Sequence, residues 1–484
     1  MKFLTDEKKA TFKTSSLIVS MLVGAGIYFK SSKVMTEVGG NPAKALLVLV
    51  VLAVFTLIYT RSFASVTTKY PKGTGITDLA EIEVGPTYSY FVGWFMATLY
   101  YPVISATVTY IAARYTCLLF DVEPYGQVHM AIAFLYMGMA IVYNSLASRP
   151  LTKKNEILTQ IKILPLVVMG ILGIIWGIKN GTATKAFTDT SGFDLTRNGG
   201  FFVALCAGVL VFEGWGISTT VHGDLKNSKV SFSRALMLAV VNCFLIYLLY
   251  LTGITLSMTN VDNVGAGDQL PYISFSNLFN SNLAGSIFVV FVIIACLATA
   301  FSAANACMKG YYHIARKNQG LFREVFSRWD STSEMPLQSC MIGGLIYCFW
   351  VFQIGILYFN GPLITGTTGN PVWLLGWEFD EAIIINEYML YIPVMFCIML
   401  KEKDLPVLER FVLPILSIMV SLVLTYSWWC AYGTRLVIYH ILFVAIVMGF
   451  GMLFYKKDRN ISLEERLRRE EKAALREAAR EVSR

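Results

Sequence analysis

Residues 21–30 read MLVGAGIYFK, inside an apolar run that starts near Leu17. Gly24 and Gly26 stand two apart in the middle of a stretch of membrane-helix length. A glycine inside a helix costs roughly 0.5–1 kcal/mol relative to alanine. Two readings are open at this point. Small residues let membrane helices approach closely. Alternatively, the pair breaks the helix and bares backbone groups that bind something, which is tolerated at membrane depth only beside a cavity.

The rest of the chain sets the class. It has 484 residues, 55% hydrophobic and 15% charged, with a mean hydropathy of +0.58. A soluble domain is about 45–50% apolar and about 25% charged. A window of about 19 residues gives about twelve spans, at 15–34, 43–63, 87–117, 128–147, 157–178, 200–221, 233–258, 283–308, 338–358, 382–400, 408–429 and 434–455. Each is far longer than a barrel strand of about 9–11 residues, so the expected fold is an all-α membrane protein. The charged N-terminus (1–14) runs into the first span without a small-residue cleavage pattern. After 455 the chain turns to alternating charge, and 456–484 reads as a solvated helix, with a docking surface for a partner as the alternative. Residues 270–280, LPYISFSNLFN, read as a short amphipathic helix on the outside.

Lysine and arginine cluster in alternate loops. Lys69 and Lys72, Arg149, Lys153 and Lys154, Lys226 and Lys229, and Lys309 to Arg328 lie on one side, while 359–381 on the other has neither. This places both termini in the cytoplasm and the protein in a plasma or inner membrane. The formal charge of +8 then reflects topology and the anionic inner leaflet rather than nucleic-acid binding. The nine cysteines form no CxxC pair, and the four histidines match no metal motif. No nucleophile elbow or P-loop is present. The expectation is a non-enzyme without cofactor or metal.

A second interrupted span answers the first. The sixth reads ALCAGVLVFEGWGISTT (204–220), with Gly208, Gly214, Gly216 and an acidic Glu213 inside it. An ionisable group at that depth is a functional candidate by default. In a chain of two five-span halves, the first and sixth spans correspond, and matching interrupted segments point to a transporter binding site. Unwinding frees N–H groups at one half-helix end and carbonyls at the other. The first suits a carboxylate and the second an ammonium, so a zwitterionic amino acid fits both.

VGAGIYF (23–29), GGNPAKAL (39–46), KYPKGTG (69–75), EVGPTYSYFVGW (83–94), FEGWG (212–216), AANACMKGYYHIARKNQG (303–320) and SEMPLQS (333–339), in that order, resemble the amino acid–polyamine–organocation permeases over about residues 12–455. The resemblance implies a five-plus-five inverted repeat with broken helices 1 and 6, in a transport core of 15–400 (first repeat about 15–178, second about 200–400). Two additional transmembrane helices follow at 408–455. It implies that Gly24, Ala25, Gly26 and Ile27 offer backbone N–H groups to the substrate, and that carbonyls around Leu210, Val211 and Phe212 receive its ammonium. Leu210 stands where the family often has an aromatic lid, and Phe212 is either its replacement or packing. Some relatives with an acid at Glu213 handle cationic amino acids. Pairing with substrate, carrying a proton and a structural ion pair all stay open for Glu213. Lys162, in TQIKILPLV (159–167), matches a fifth-span lysine that replaces sodium in many relatives, with snorkelling as the alternative. Tyr100, Tyr101, Ser302 and Asn305 are weaker cavity candidates. Arg61 departs from the family, which often has an acid nearby.

Together these imply a secondary permease, exchanger or proton symporter for cationic or neutral amino acids. It would be sodium-independent and work by alternating access. A polyamine or amine carrier, and an amino acid receptor without flux, are the alternatives.

Overall fold

The computed structural model describes residues 11–466, apart from 13, 17, 20–21, 71–74, 147–151, 189–199, 219–231, 331–334, 360–377 and 462–464. The expected N-terminal segment (1–14) and charged tail helix therefore fall largely outside the described residues. Of the tail, Lys457–Arg459 forms a single 3₁₀ turn, and residues 465 and 466 are helical. Among the described residues the architecture is helical throughout, apart from one isolated bridge between Asp330 and Met335.

Nine of the described helices are long and apolar enough to cross a membrane. The second span is Pro42–Lys69, opened by Asn41, whose side chain accepts the Lys44 N–H at 3.1 Å, with Pro42 in the first turn. The third span, Pro86–Leu119, also starts on proline. Its turn Met96–Tyr100 widens to a π-helix. Pro102 brings no N–H to Thr98 O, and Trp350 Nε1 donates to that carbonyl instead at 3.0 Å. The fourth, fifth and seventh spans are Gln127–Leu146, Thr152–Lys179 and Phe232–Leu256. The eighth, ninth and tenth are Asn282–Arg316, Leu337–Phe359 and Phe379–Lys401. The eighth outruns its hydropathy limit of 308 because its last turns are polar and end on His313 and Arg316, which suit a helix C-terminus.

The last long element, Leu408–Phe454, holds two spans. Gly433 lies at φ 71°, and the Trp428 and His440 rings are 5.1 Å apart. Twelve residues of straight helix would put them about 18 Å apart, so the chain doubles back at the glycine.

The first and sixth spans are interrupted. Helical geometry lapses over Val23–Ala25 and resumes at Gly26–Glu37. Gly200–Gly208 tightens into a 3₁₀ turn at Val209–Phe212, breaks at Glu213 and Gly214 (φ 102°), and resumes at Trp215–Ser218. A helix at Ile76–Glu83 occupies what hydropathy reads as a connecting loop. Leu270–Phe279 is helical, as its sequence suggests.

Candidate functional site

The two breaks meet. A Cβ built on Gly26 would lie 2.9 Å from Leu210 O, so the N-terminal end of one half-helix abuts the carbonyl end of the other. Gly26 and Ile27 open their helix, so their N–H groups have no acceptor within it. Across the gap, Leu210 O accepts the Glu213 N–H at 3.2 Å, while the Val211 and Phe212 carbonyls at the end of that helix have no intrahelical donors. Opposite partial charges thus face one site. Tyr247 from the seventh span braces it, donating to Leu22 O at 3.1 Å while its ring packs on Phe212 at 5.5 Å.

The structure brings most of the expected residues here. Gly26 faces Leu210 and Val211, and Leu210, Val211 and Phe212 are all buried. Gly24 does not offer its N–H to this gap, because that N–H donates to Leu22 O at 2.7 Å. Lys162 is buried in the fifth span. Its carbonyl accepts from Tyr28 Oη at 2.5 Å, and its ammonium lies within electrostatic reach of Cys296 in the eighth span. A Cβ on Gly24 would touch Thr299 of that span at 3.6 Å. The first-span break, the lysine and the eighth span therefore converge. Ser302 is exposed and donates to Ala298 O of its own helix at 2.9 Å, with no hydrogen bond to either break. Asn305 Oδ1 is buried without a donor.

Glu213 enters a group that hydropathy alone does not find. Tyr100 Oη donates to Glu213 Oε1 at 2.6 Å, and Tyr391 Oη donates to Glu387 Oε1. Glu387 Oε1 also lies 3.8 Å from where a Cβ on Gly216 would stand, so both acids sit at the sixth-span break. Tyr101 packs edge-on against Tyr100. The rule that singles out Glu213, an acid inside an apolar span, applies equally to Glu387.

An aromatic plug closes the side facing the C-terminal tail. Trp215 is buried among Phe63, Tyr391 and Tyr59, with ring centroids at 5.2, 5.7 and 6.0 Å. Its Nε1 donates to Tyr388 Oη at 3.2 Å. Further out on this face, Lys317 and Arg466 both pair with Asp78 and Glu81. Arg61, at the same end of the second span, pairs with Glu409 and donates to Ser233 Oγ.

An ion network closes the opposite face. Lys30 Nζ lies 2.7 Å from Glu378, 2.9 Å from Asp380 and 2.7 Å from Glu381. Lys33 joins Glu378 and Glu381, and Tyr432 Oη donates to Glu381 at 2.6 Å. This ties the first span to the tenth. The signal in sequence is again charge in apolar company, at Lys30 and at the head of the tenth span.

A family model described as "Amino acid permease" matches residues 10–467. The chain is 21% identical to the serine/threonine exchanger SteT of Bacillus subtilis, over 80% of this chain and 82% of that one. It is 22% identical to the low-affinity methionine permease of Saccharomyces cerevisiae, over 70% of this chain and 63% of that one. It is 22% identical to the human cystine/glutamate transporter, over 68% and 64%. Among solved structures, MhsT in complex with L-phenylalanine superposes with a TM-score of 0.55 at 15% identity, covering 87% of this chain and 98% of that one. That likeness shows the fold: a multi-pass helical membrane protein built on an inverted repeat.

Proposed function

The chain belongs to the amino acid permease family, and from that premise we propose that it is a sodium-independent secondary transporter of cationic or neutral amino acids. It lies in a plasma or inner membrane with both termini in the cytoplasm and alternates access between its two closed faces. The observation that carries the reading is the close approach of Gly26 to Leu210 O. It sets the N–H groups that open the Gly26 helix beside a turn whose last two carbonyls, Val211 and Phe212, lack intrahelical donors, which matches the two charges of an amino acid. Sodium independence rests on Lys162. A buried ammonium near the first-span break and the eighth span supplies the positive charge that sodium would otherwise bring.

Competition binding separates an amino acid carrier from an amine carrier. Purified protein would be titrated with amino acids and with the amines that lack their carboxylate. The reading expects each amine to compete at least tenfold more weakly than its parent amino acid. Equal competition would move the assignment to an amine carrier.

A further inference from the structure

We propose that Glu213 and Glu387 form one proton-binding site at the joint between the sixth and tenth spans, and that its proton travels with the amino acid. The inference rests on the transport reading above and names its coupling ion.

The geometry carries it. One oxygen of each carboxyl is satisfied: Glu213 Oε1 by Tyr100 and Glu387 Oε1 by Tyr391. The other oxygen of each, Oε2, is buried without a donor. Glu213 is 9% exposed and Glu387 2%, so both carboxyl groups are withdrawn from bulk water. Glu387 Oε1 stands 3.8 Å from the Cβ position of Gly216, three residues past Glu213, and two carboxyl groups gathered at one joint bond to each other only when one holds a proton. The titratable groups facing the pair are Tyr59 of the second span, Tyr100 and Tyr101 of the third, and Tyr388 and Tyr391 of the tenth. Among the described residues no lysine, arginine or histidine forms an ion pair with either acid. A doubly ionised pair in this setting is unsupported.

The position couples the proton to movement. Glu213 directly follows the carbonyls of Val209–Phe212, so it moves with the substrate site, whereas Glu387 belongs to the tenth span. When the two spans part, each carboxyl meets water and the shared proton leaves to it. Closing the joint again requires a proton from water on whichever face is open. Substrate is occluded only with the joint closed and protonated, whereas the empty transporter returns with the joint open and deprotonated, so proton and substrate cross together.

The test uses purified protein in liposomes enclosing a pH-sensitive dye. In the unaltered protein, adding amino acid outside should acidify the lumen, and an acidic exterior should drive uptake above the equilibrium level. Glu387→Gln should keep measurable counterflow, which needs no net proton movement, but lose both effects. Glu387→Asp should recover part of them. Proton uptake at the unaltered level in Glu387→Gln would overturn the proposal. So would unaltered protein that performs counterflow without acidifying the lumen. Absence of counterflow in the unaltered protein would remove the transport reading, and this inference with it. Should Glu387→Gln fail to fold, infrared difference spectra of the unaltered protein decide. A substrate-induced shift of a carboxylic-acid C=O band is expected, and its absence would overturn the proposal.

Discussion

At Gly26 there is no room for a methyl group, because a Cβ would sit 2.9 Å from Leu210 O and 3.4 Å from the Val211 Cα. Both neighbours are backbone, which cannot swing aside. At Gly24 the same Cβ meets Thr299 Cγ2 at 3.6 Å, an ordinary contact. Overpacking typically costs about 1–3 kcal/mol, and here the cost falls on the geometry of the site. Gly26→Ala is therefore expected to cut transport at least tenfold with the protein still folded, and Gly24→Ala to stay within about threefold. Uptake normalised to monodisperse protein checks both, and similar losses at both positions would contradict the account. The two glycines look alike in sequence, and their different roles come from neighbours more than a hundred residues away. Glu213 is legible as a buried acid by the same local rule. Its partner is not, because nothing within one span says that Glu387 will meet it.

Among the elements, the two breaks are legible because glycine interrupts apolar runs at matching places. The fold-back at Gly433 is legible for the same reason, since hydropathy dips between 429 and 434. The helix Ile76–Glu83 is not, being short, polar and held by tertiary contacts. Lys401 Nζ donates to the Glu83 carbonyl, while Glu402 takes Lys69 and Tyr70. Burial first, and the neighbouring Glu402 carboxylate second, push the Glu83 carboxyl up to about 7. An unfolded glutamate titrates near 4.3. The folded state thus keeps a proton that the unfolded state has lost, and stability falls as pH rises between those values. Hydrogen-exchange protection over 76–83, taken relative to the intrinsic rate at each pH, should be weaker at pH 8 than at pH 5.5, and Glu83→Gln should flatten the difference. Unchanged pH dependence in Glu83→Gln would assign it to another group.

For the molecule as a whole, alternating access requires that each closed face can open. Lys30 and Lys33 hold three acids on one face. Removing one partner from a buried ion pair costs roughly 3–5 kcal/mol. Lys30→Met should lower thermal stability in detergent and open that face more often. Cys206, fully buried beside Glu381, should then react faster with a water-soluble maleimide, and the increase should vanish in a Cys206→Ser background. Unaltered Cys206 reactivity would show that the network does not hold the face shut. The central claim is sodium-independent amino acid transport through the paired breaks, and the most direct test is uptake of radiolabelled arginine, alanine and leucine into proteoliposomes. Saturable uptake of at least one, equal in sodium and in choline medium and lost in Gly26→Ala, is the predicted result. Uptake that disappears in choline, or no flux for any amino acid despite measurable binding, would contradict it.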